Sequence, residues 1–173
     1  GAAETFDISA DLWELARTPV AVICAGAKII LDIPKTLELL ESLGIPVVGI
    51  GCREFPGFYL RSTGQRLDQQ VPNVEQAAEL AAAHWRGGGA GLLLVQPPPR
   101  DLGWSVNKMD AELRNLMAEA QSTGHMGKML TPFLLHRLSE LTVGATLTIN
   151  QELIIANAAT AGALACSLAR TRS

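Results

Sequence analysis

One lysine of this sequence has the surroundings that a nucleophilic amine requires. Lys28 follows the apolar run Val20–Cys24 and the small residues Ala25-Gly26-Ala27. Because open α/β sheets bind ligands beyond the carboxyl ends of their strands, this position puts an amine where a substrate would lie. Burial and the positive end of the following helix would both favour the neutral amine, which is the nucleophilic form. The alternative is a surface lysine that caps a turn.

A second group of reactive side chains lies near the start of the sequence. Asp7, Ser9 and Asp11 place two carboxylates and a hydroxyl within five residues. Carboxylate oxygens suit hard cations such as Mg²⁺ or Mn²⁺, and a hydroxyl beside backbone N–H groups can hold a phosphate. The alternative is helix capping, with Ser9 or Asp11 as the N-cap of a helix over Leu12–Ala16.

Two asparagines could aim amide groups at a ligand. Asn150 and Asn157 are seven residues apart, which is two turns along one face of a helix. The alternative is that Asn150 is an N-cap. The histidines at positions 84, 125 and 136 have no partner at metal-ligand spacing, so we interpret them as structural or solvated side chains.

The elements that must position these residues follow from the apolar pattern. Three apolar runs bounded by Gly or Pro predict strands buried on both faces; they are Val20–Cys24, Ile45–Ile50 and Gly91–Val95. The predicted helices are Leu31–Leu43, Val74–Trp85, Lys108–Ser122, one that opens at Thr131-Pro132, and Asn150–Leu168. This alternation predicts an α/β fold with a parallel or mixed sheet flanked by helices. The longest irregular stretch is Gly51–Pro72, and loops of that length are often functional.

Composition narrows the classes of partner. The chain has 173 residues, is 48% hydrophobic and carries a formal net charge of −3, which suits one domain or part of a larger one. A mildly acidic chain lacks the basic stripe of a nucleic-acid-binding protein. No uninterrupted apolar run reaches the ~18–20 residues of a membrane span, so neither nucleic acid nor membrane is an expected partner. Three widely spaced cysteines predict an intracellular, reducing compartment, with the cytoplasm first and an organelle second.

The order of motifs along the chain resembles the pseudouridine-5′-phosphate glycosidase family, also called the indigoidine synthase A-like family. The resemblance covers nearly the whole chain. The motifs that carry it are Phe6-Asp7-Ile8-Ser9-Ala10-Asp11-Leu12, Thr18-Pro19-Val20-Ala21-Val22, Cys24-Ala25-Gly26-Ala27-Lys28, Ile30-Leu31-Asp32-Ile33-Pro34, Glu54-Phe55-Pro56, Phe58-Tyr59, Gly127-Lys128, Thr131-Pro132-Phe133-Leu134-Leu135, Ser139-Glu140-Leu141-Thr142, Asn150 and Asn157-Ala158.

This resemblance implies an enzyme that reversibly cleaves the C–C bond between uracil and ribose 5-phosphate in pseudouridine 5′-phosphate, with Mn²⁺ or another divalent cation. It implies that Lys28 attacks ribose C1′ and forms a Schiff-base-type adduct with the opened sugar. It also implies that Asp7 binds the metal, and that the protein is a homo-oligomer, a trimer in the family. The substrate contacts that it implies are Ser9, Ala10, Asp11 and Asn150, the last beside uracil.

The resemblance further implies an incomplete chain. Family members are much longer, and this chain, which has no initiator Met, corresponds to the second half of their catalytic domain, so residues 1–173 are expected to be a portion of one α/β domain. The other half carries the family's general-acid glutamate and a phosphate-contacting lysine. Where the family usually reads Asn-Pro-x-Pro, this chain reads Gln96-Pro97-Pro98-Pro99. The alternative function is a catalytically inactive fragment or isoform that retains only binding or association.

Overall fold

Within residues 11–28 and 32–171, the central sheet has four strands, all parallel. The structure is a computed structural model that describes residues 11–28 and 32–171, and of Lys128 only the backbone. The strands are β1 (Ala21–Cys24), β2 (Val47–Ile50), β3 (Gln69–Val71) and β4 (Leu92–Val95). Their order across the sheet is β1-β4-β2-β3, and each neighbouring pair is parallel. The predicted α/β fold is thereby confirmed. The sheet, which was predicted to be parallel or mixed, is parallel.

Helices cover the sheet, and side chains cap several of their amino ends. Asp32, Asn73 and Ser105 are N-caps whose side chains accept a backbone N–H three residues on, at 3.1, 3.0 and 3.2 Å. Each cap satisfies one of the N–H groups that a helix start leaves unpaired. The described helices are α1 (Asp11–Leu15), α2 (Ile33–Ser42), α3 (Val74–Arg86), α4 (Val106–Ser122), α5 (Leu130–Leu141) and α6 (Ala145–Thr171), with a short 3-10 turn at Gly127–Met129.

Two helix starts and one strand depart from the sequence prediction in ways that bear on the site or the sheet. Pro132 is the third residue of α5 rather than its first. α6 begins at Ala145, directly after Gly144 with its φ of 79°, so Asn150 lies inside the helix and the N-cap alternative for it is wrong. β3 lies within Gly51–Pro72, where no strand was predicted, because two of its three residues are exposed glutamines without an apolar pattern.

β4 separates two hydrophobic cores. Leu93 and Val95 face the first core, which α1, α2, α4, α5 and the first half of α6 complete. Leu92 and Leu94 face the second core, which α3 and the second half of α6 complete. All four residues of β4 are buried, as is typical of a central parallel strand covered on both faces.

α6 belongs to both cores. Ile149 and Leu153 lie in the first core, whereas Leu164 and Leu168 belong to the second. Because the cores lie on opposite faces of the sheet, α6 runs from one face to the other. Its middle therefore passes an edge of the sheet. A functional site at that edge can therefore draw side chains from α6.

α6 is also the one helix of the described ranges that is long and apolar enough to cross a membrane, by length and composition alone. Polar residues interrupt its sequence, so it contains no uninterrupted apolar run of that length. It packs against α3 and β1, although few of its residues are buried. Only 11% of its most apolar stretch is buried, so within the described residues the outer face of α6 is exposed.

Candidate functional site

The loops that follow β1, β4 and β2 meet at the carboxyl edge of the sheet, which is where parallel α/β sheets bind ligands. The backbone N–H of Gln96 donates to the Cys24 carbonyl at 3.0 Å, which ties the end of β4 to the end of β1. Arg61, in the loop after β2, donates to the carbonyls of Pro98 and Pro99 at 2.8 and 3.4 Å. The three loops therefore form one connected surface.

The turn between β1 and Lys28 requires a glycine. Gly26 has a φ of 81° and forms an isolated antiparallel bridge with Gly57. A Cβ on Gly26 would lie 1.8 Å from the Pro56 carbonyl oxygen, so the two loops approach too closely for any side chain. This contact fixes the backbone that leads to Lys28.

The loop after β2 is braced internally and against β1. The Phe55 N–H donates to the Gln65 carbonyl at 2.8 Å, and the Phe58 N–H donates to the Ala25 carbonyl at 3.0 Å. Phe58 has a φ of 65°, which few residues other than glycine adopt and which is often held at functional sites. The loop thus holds a strained residue directly beside the turn after β1.

Lys28 is half-buried and lies four residues beyond the end of β1. This confirms that it follows the carboxyl end of a strand. It also lies four residues before Asp32, the N-cap of α2, so it is not within the first turn of that helix. Its role as a nucleophile stays a prediction.

The two thiols at the same edge are poor nucleophiles. Burial raises the pKa of the Cys24 thiol to about 11, and burial also raises the pKa of Cys52. Only the thiolate is strongly nucleophilic, so both groups stay in their unreactive, neutral form near neutral pH. Both side chains pack against the first core. The Lys28 amine is therefore the candidate nucleophile of these three side chains.

The side chain of Gln96 is held by α6 at both ends of its amide. Its Nε2 donates to Oδ1 of Asn157 at 2.9 Å, and Oγ1 of Thr160 donates to its Oε1 at 2.9 Å. Because Asn157 accepts through Oδ1, its own NH₂ group is directed away from Gln96. That group can donate hydrogen bonds to a ligand carbonyl, and Asn157 is half-buried.

The other predicted site residues lie elsewhere in the structure or outside the residues that it describes. Asp7, Ser9 and Ala10 lie outside the described residues. Asp11 is the exposed first residue of α1. Asn150 is half-buried on α6, seven residues and therefore about 10 Å along the axis from Asn157.

Gln96 and Thr160 were not among the site residues predicted from the sequence. Gln96 directly follows β4, so the rule that identified Lys28 could have found it too. Thr160 lies 64 residues further along the chain, and no local pattern connects the two.

The described residues contain no group of three or more His, Cys, Asp or Glu side chains that could hold a metal ion. Of the two predicted carboxylates near the start of the chain, Asp7 lies outside the described residues and Asp11 is exposed. The described part of the chain therefore offers no ligand set for the expected divalent cation.

Comparison with known proteins agrees with this architecture. The sequence matches the family of indigoidine synthase A-like proteins over residues 1–167. Proteins named pseudouridine-5′-phosphate glycosidase from Myxococcus xanthus and Gemmatimonas aurantiaca are 44% and 47% identical to it, over 98% and 94% of this chain and 56% and 54% of their own lengths.

Two solved structures share the fold. The prealnumycin C-glycosynthase AlnA, in complex with ribulose 5-phosphate, superposes with a TM-score of 0.89 and 27% identity, over 99% of this chain and 57% of its own. An indigoidine synthase A-like protein from Thermotoga maritima superposes with a TM-score of 0.80 and 33% identity, over 92% of this chain and 53% of its own. The chain thus spans little more than half the length of these proteins, and it belongs to the indigoidine synthase A-like family.

Proposed function

We propose that this chain is the lysine-bearing part of a pseudouridine-5′-phosphate glycosidase, which cleaves pseudouridine 5′-phosphate to uracil and ribose 5-phosphate. The observation that carries the proposal is the half-buried Lys28 at the carboxyl edge of the sheet. Relatives at 44% identity are named for this activity, and a solved neighbour holds a pentose phosphate.

The chemistry suits a lysine better than a pair of carboxylates. A C-glycosidic bond has no leaving-group oxygen for an acid to protonate, so the usual glycosidase logic does not apply. In the proposed reaction the Lys28 amine bonds to ribose C1′ while the C1′–O4′ bond breaks and O4′ takes a proton. The C1′–C5 bond then breaks, its electron pair goes to uracil C5, and C1′ becomes an iminium carbon. Water hydrolyses the iminium to ribose 5-phosphate and the free amine.

The amides at the carboxyl edge of the sheet suit the departing base. Uracil presents carbonyl oxygens, and the NH₂ group of Asn157 is the polar donor that Gln96 directs away from itself. The proton for uracil C5 must come from a general acid. The resemblance places that acid in the part of the family that this chain does not match. A reaction of the chain with ribose 5-phosphate needs no such acid, and so it tests Lys28 by itself.

The first experiment is borohydride trapping. The folded chain is incubated with ribose 5-phosphate and Mn²⁺, reduced, digested and analysed by peptide mass spectrometry. We expect imine formation between the Lys28 amine and the sugar aldehyde with loss of water, and reduction to a stable secondary amine on the Lys28 peptide. The Lys28→Ala and Lys28→Arg variants should lose the adduct, whereas Lys35→Ala should keep it. Lys35 is the matched control because it is an exposed lysine that pairs with Asp32 at 3.2 Å.

The same reaction separates the two functions that the sequence leaves open. An adduct that persists in Lys28→Ala would contradict the assignment of the nucleophile. No adduct on soluble, folded chain would support an inactive fragment that retains binding or association. A parallel reaction in excess chelator tests the divalent cation, for which Asp7 is the inferred ligand. We expect a lower adduct yield there, and an unchanged yield would remove the metal from the proposal.

We infer an intracellular, reducing location, in line with three cysteines that form no disulfide. Assembly as a homo-oligomer, and residues 1–173 as a portion of one larger α/β domain, stay predictions. The expected substrate is the nucleotide alone, with neither nucleic acid nor membrane as a partner.

A further inference from the structure

The segment between α4 and α5 exposes two methionine side chains. Met126 and Met129 have 69% and 62% of their surfaces exposed. The other two of the four methionines in the chain, Met109 and Met117, pack in the first core, which is the usual place for this residue type. A single exposed apolar side chain is ordinary. Two exposed thioethers on one short turn, next to a histidine, form a set of soft metal ligands.

The backbone places both methionines and Phe133 on one side of this segment. The Met129 N–H donates to the Met126 carbonyl at 3.2 Å, and side chains three residues apart in a 3-10 turn lie over one another. Met129 has helical dihedral angles at the start of α5, with φ −86° and ψ −17°. Because Phe133 follows it by four residues, these two side chains also share a face. The two thioethers and the phenyl ring therefore form one row.

His125 lies against the same row. Its ring stacks on the ring of Phe133, with the centroids 4.3 Å apart and 25° between the planes. The residue is half-buried and directly precedes Met126. A methionine side chain has three rotatable bonds and a polarizable sulfur, so both sulfurs can turn towards the imidazole. The stack on Phe133 thus holds the histidine ring still beside two adaptable ligands.

A chain of hydrogen bonds determines which nitrogen of His125 has a free lone pair. Oγ1 of Thr123 donates to the Glu119 carbonyl at 2.7 Å, and a hydroxyl has only one proton to donate. The contact of 2.8 Å between Oγ1 of Thr123 and Nδ1 of His125 therefore requires the proton on Nδ1. The neutral ring then carries its lone pair on Nε2, which is the form that binds metals.

We propose that His125, Met126 and Met129 form a binding site for the soft monovalent ion Cu(I). Thioether ligands select Cu(I), and imidazole also suits copper. Metal-binding histidines usually donate their other ring N–H to an oxygen, as Nδ1 of His125 does to Thr123. The site differs in chemistry from that of the divalent cation expected at Asp7, because hard cations prefer oxygen ligands. The proposal revises the interpretation of His125 as a structural or solvated side chain, and it is independent of the proposed activity.

The first experiment follows the methionine methyl groups by NMR. The chain carries isotope-labelled methionine methyl groups and the Cys166→Ser substitution, because Cys166 is an exposed thiol that would compete for the metal. Cu(I) is added without oxygen, in the presence of ascorbate, up to one equivalent. The signals of Met126 and Met129 should shift, whereas those of Met109 and Met117 should stay in place. Shifts at all four methionines, or none at Met126 and Met129, would overturn the proposal.

The affinity is measured in the same background by competition with bathocuproine disulfonate, a coloured chelator of Cu(I). Met126→Leu, Met129→Leu and His125→Phe should each weaken binding at least ~10-fold. Phenylalanine at position 125 keeps an aromatic stack on Phe133 and removes the nitrogen ligand. Met117→Leu is the matched control and should bind Cu(I) as tightly as the parent chain. The exposed methionines can be replaced without changing the core, so the variants should keep the parent's thermal midpoint.

Thr123 tests the orientation of the imidazole separately from its presence. Thr123→Val leaves the Nδ1 proton without its acceptor and should weaken Cu(I) binding ~10-fold, whereas Thr123→Ser should restore the parent affinity. A structural role alone would change the thermal midpoint and leave the affinity of the folded chain unchanged. Equal Cu(I) affinity in the parent and in the variants at positions 125, 126 and 129 would mean that the metal binds Cys24 and Cys52, and would overturn the proposal.

Discussion

At the scale of single residues, the Gln96 amide connects the sheet to α6. Both ends of that amide are satisfied, by Asn157 and Thr160. Half-buried amides are costly to leave unpaired, so Gln96 and Asn157 stabilise the fold as a pair and not as independent residues. The hydrogen bond that turns the Asn157 NH₂ group away from Gln96 also holds α6 against the end of β4.

A double-mutant cycle should detect this coupling. Gln96→Ala and Asn157→Ala should each lower the free energy of unfolding by about 1–2 kcal/mol, and together by about 1 kcal/mol less than their sum. Asn73→Ala removes a distant N-cap and should combine additively with Gln96→Ala. The measurement is urea denaturation followed by circular dichroism. Additive costs for Gln96 and Asn157 would show that the hydrogen bond between them contributes nothing to stability.

At the scale of elements, the sequence predicted the parts that local physics determines. The apolar runs located β1, β2 and β4, because buried parallel strands need no polar face. The helix Val74–Trp85 was likewise predicted, and the Asn73 that precedes it is one of the preferred N-cap residue types. β3 could not be found in this way, since its pairing with β2 and not its composition makes it a strand.

Close contact between two loops gives an element-scale prediction. Gly26→Ala places a Cβ against the Pro56 carbonyl oxygen at a positive φ, so it should cost about 3 kcal/mol or more of unfolding free energy. Gly64→Ala is the matched control, because Gly64 also has a positive φ of 77° but its Cβ would meet open space. It should cost only about 1–2 kcal/mol. Thermal or urea denaturation of both variants makes the comparison, and equal losses would show that the contact between the loops is not tight.

At the scale of the whole molecule, α6 joins two cores that lie on opposite faces of the sheet. The path of α6 explains why only part of the candidate site could be predicted from the sequence. The position of Lys28 follows from one strand end, and the sequence located it. The hydrogen bonds of the Gln96 side chain join it to Asn157 and Thr160, which lie 61 and 64 positions later. Only the path of α6 brings these residues together. Local patterns carry no information about that path.

The shared helix predicts a single unfolding transition. Trp104 packs against the first core and Trp85 against the second, so each reports on one face of the sheet. In each variant that retains only one of these tryptophans, with Trp13 also replaced by Phe, the fluorescence midpoint in urea should coincide with the midpoint by circular dichroism. The measurement is tryptophan fluorescence. Separate midpoints would mean that α6 does not couple the two cores.

The run of prolines after β4 has a consequence for how an anionic ligand could be held there. Pro97, Pro98 and Pro99 carry no backbone N–H, and Arg61 is already engaged by the carbonyls of Pro98 and Pro99. The three prolines therefore offer no backbone donor to an anion, and one nitrogen of Arg61 is occupied by their carbonyls. Side chains rather than the backbone of this loop would have to supply the hydrogen bonds to an anionic ligand there.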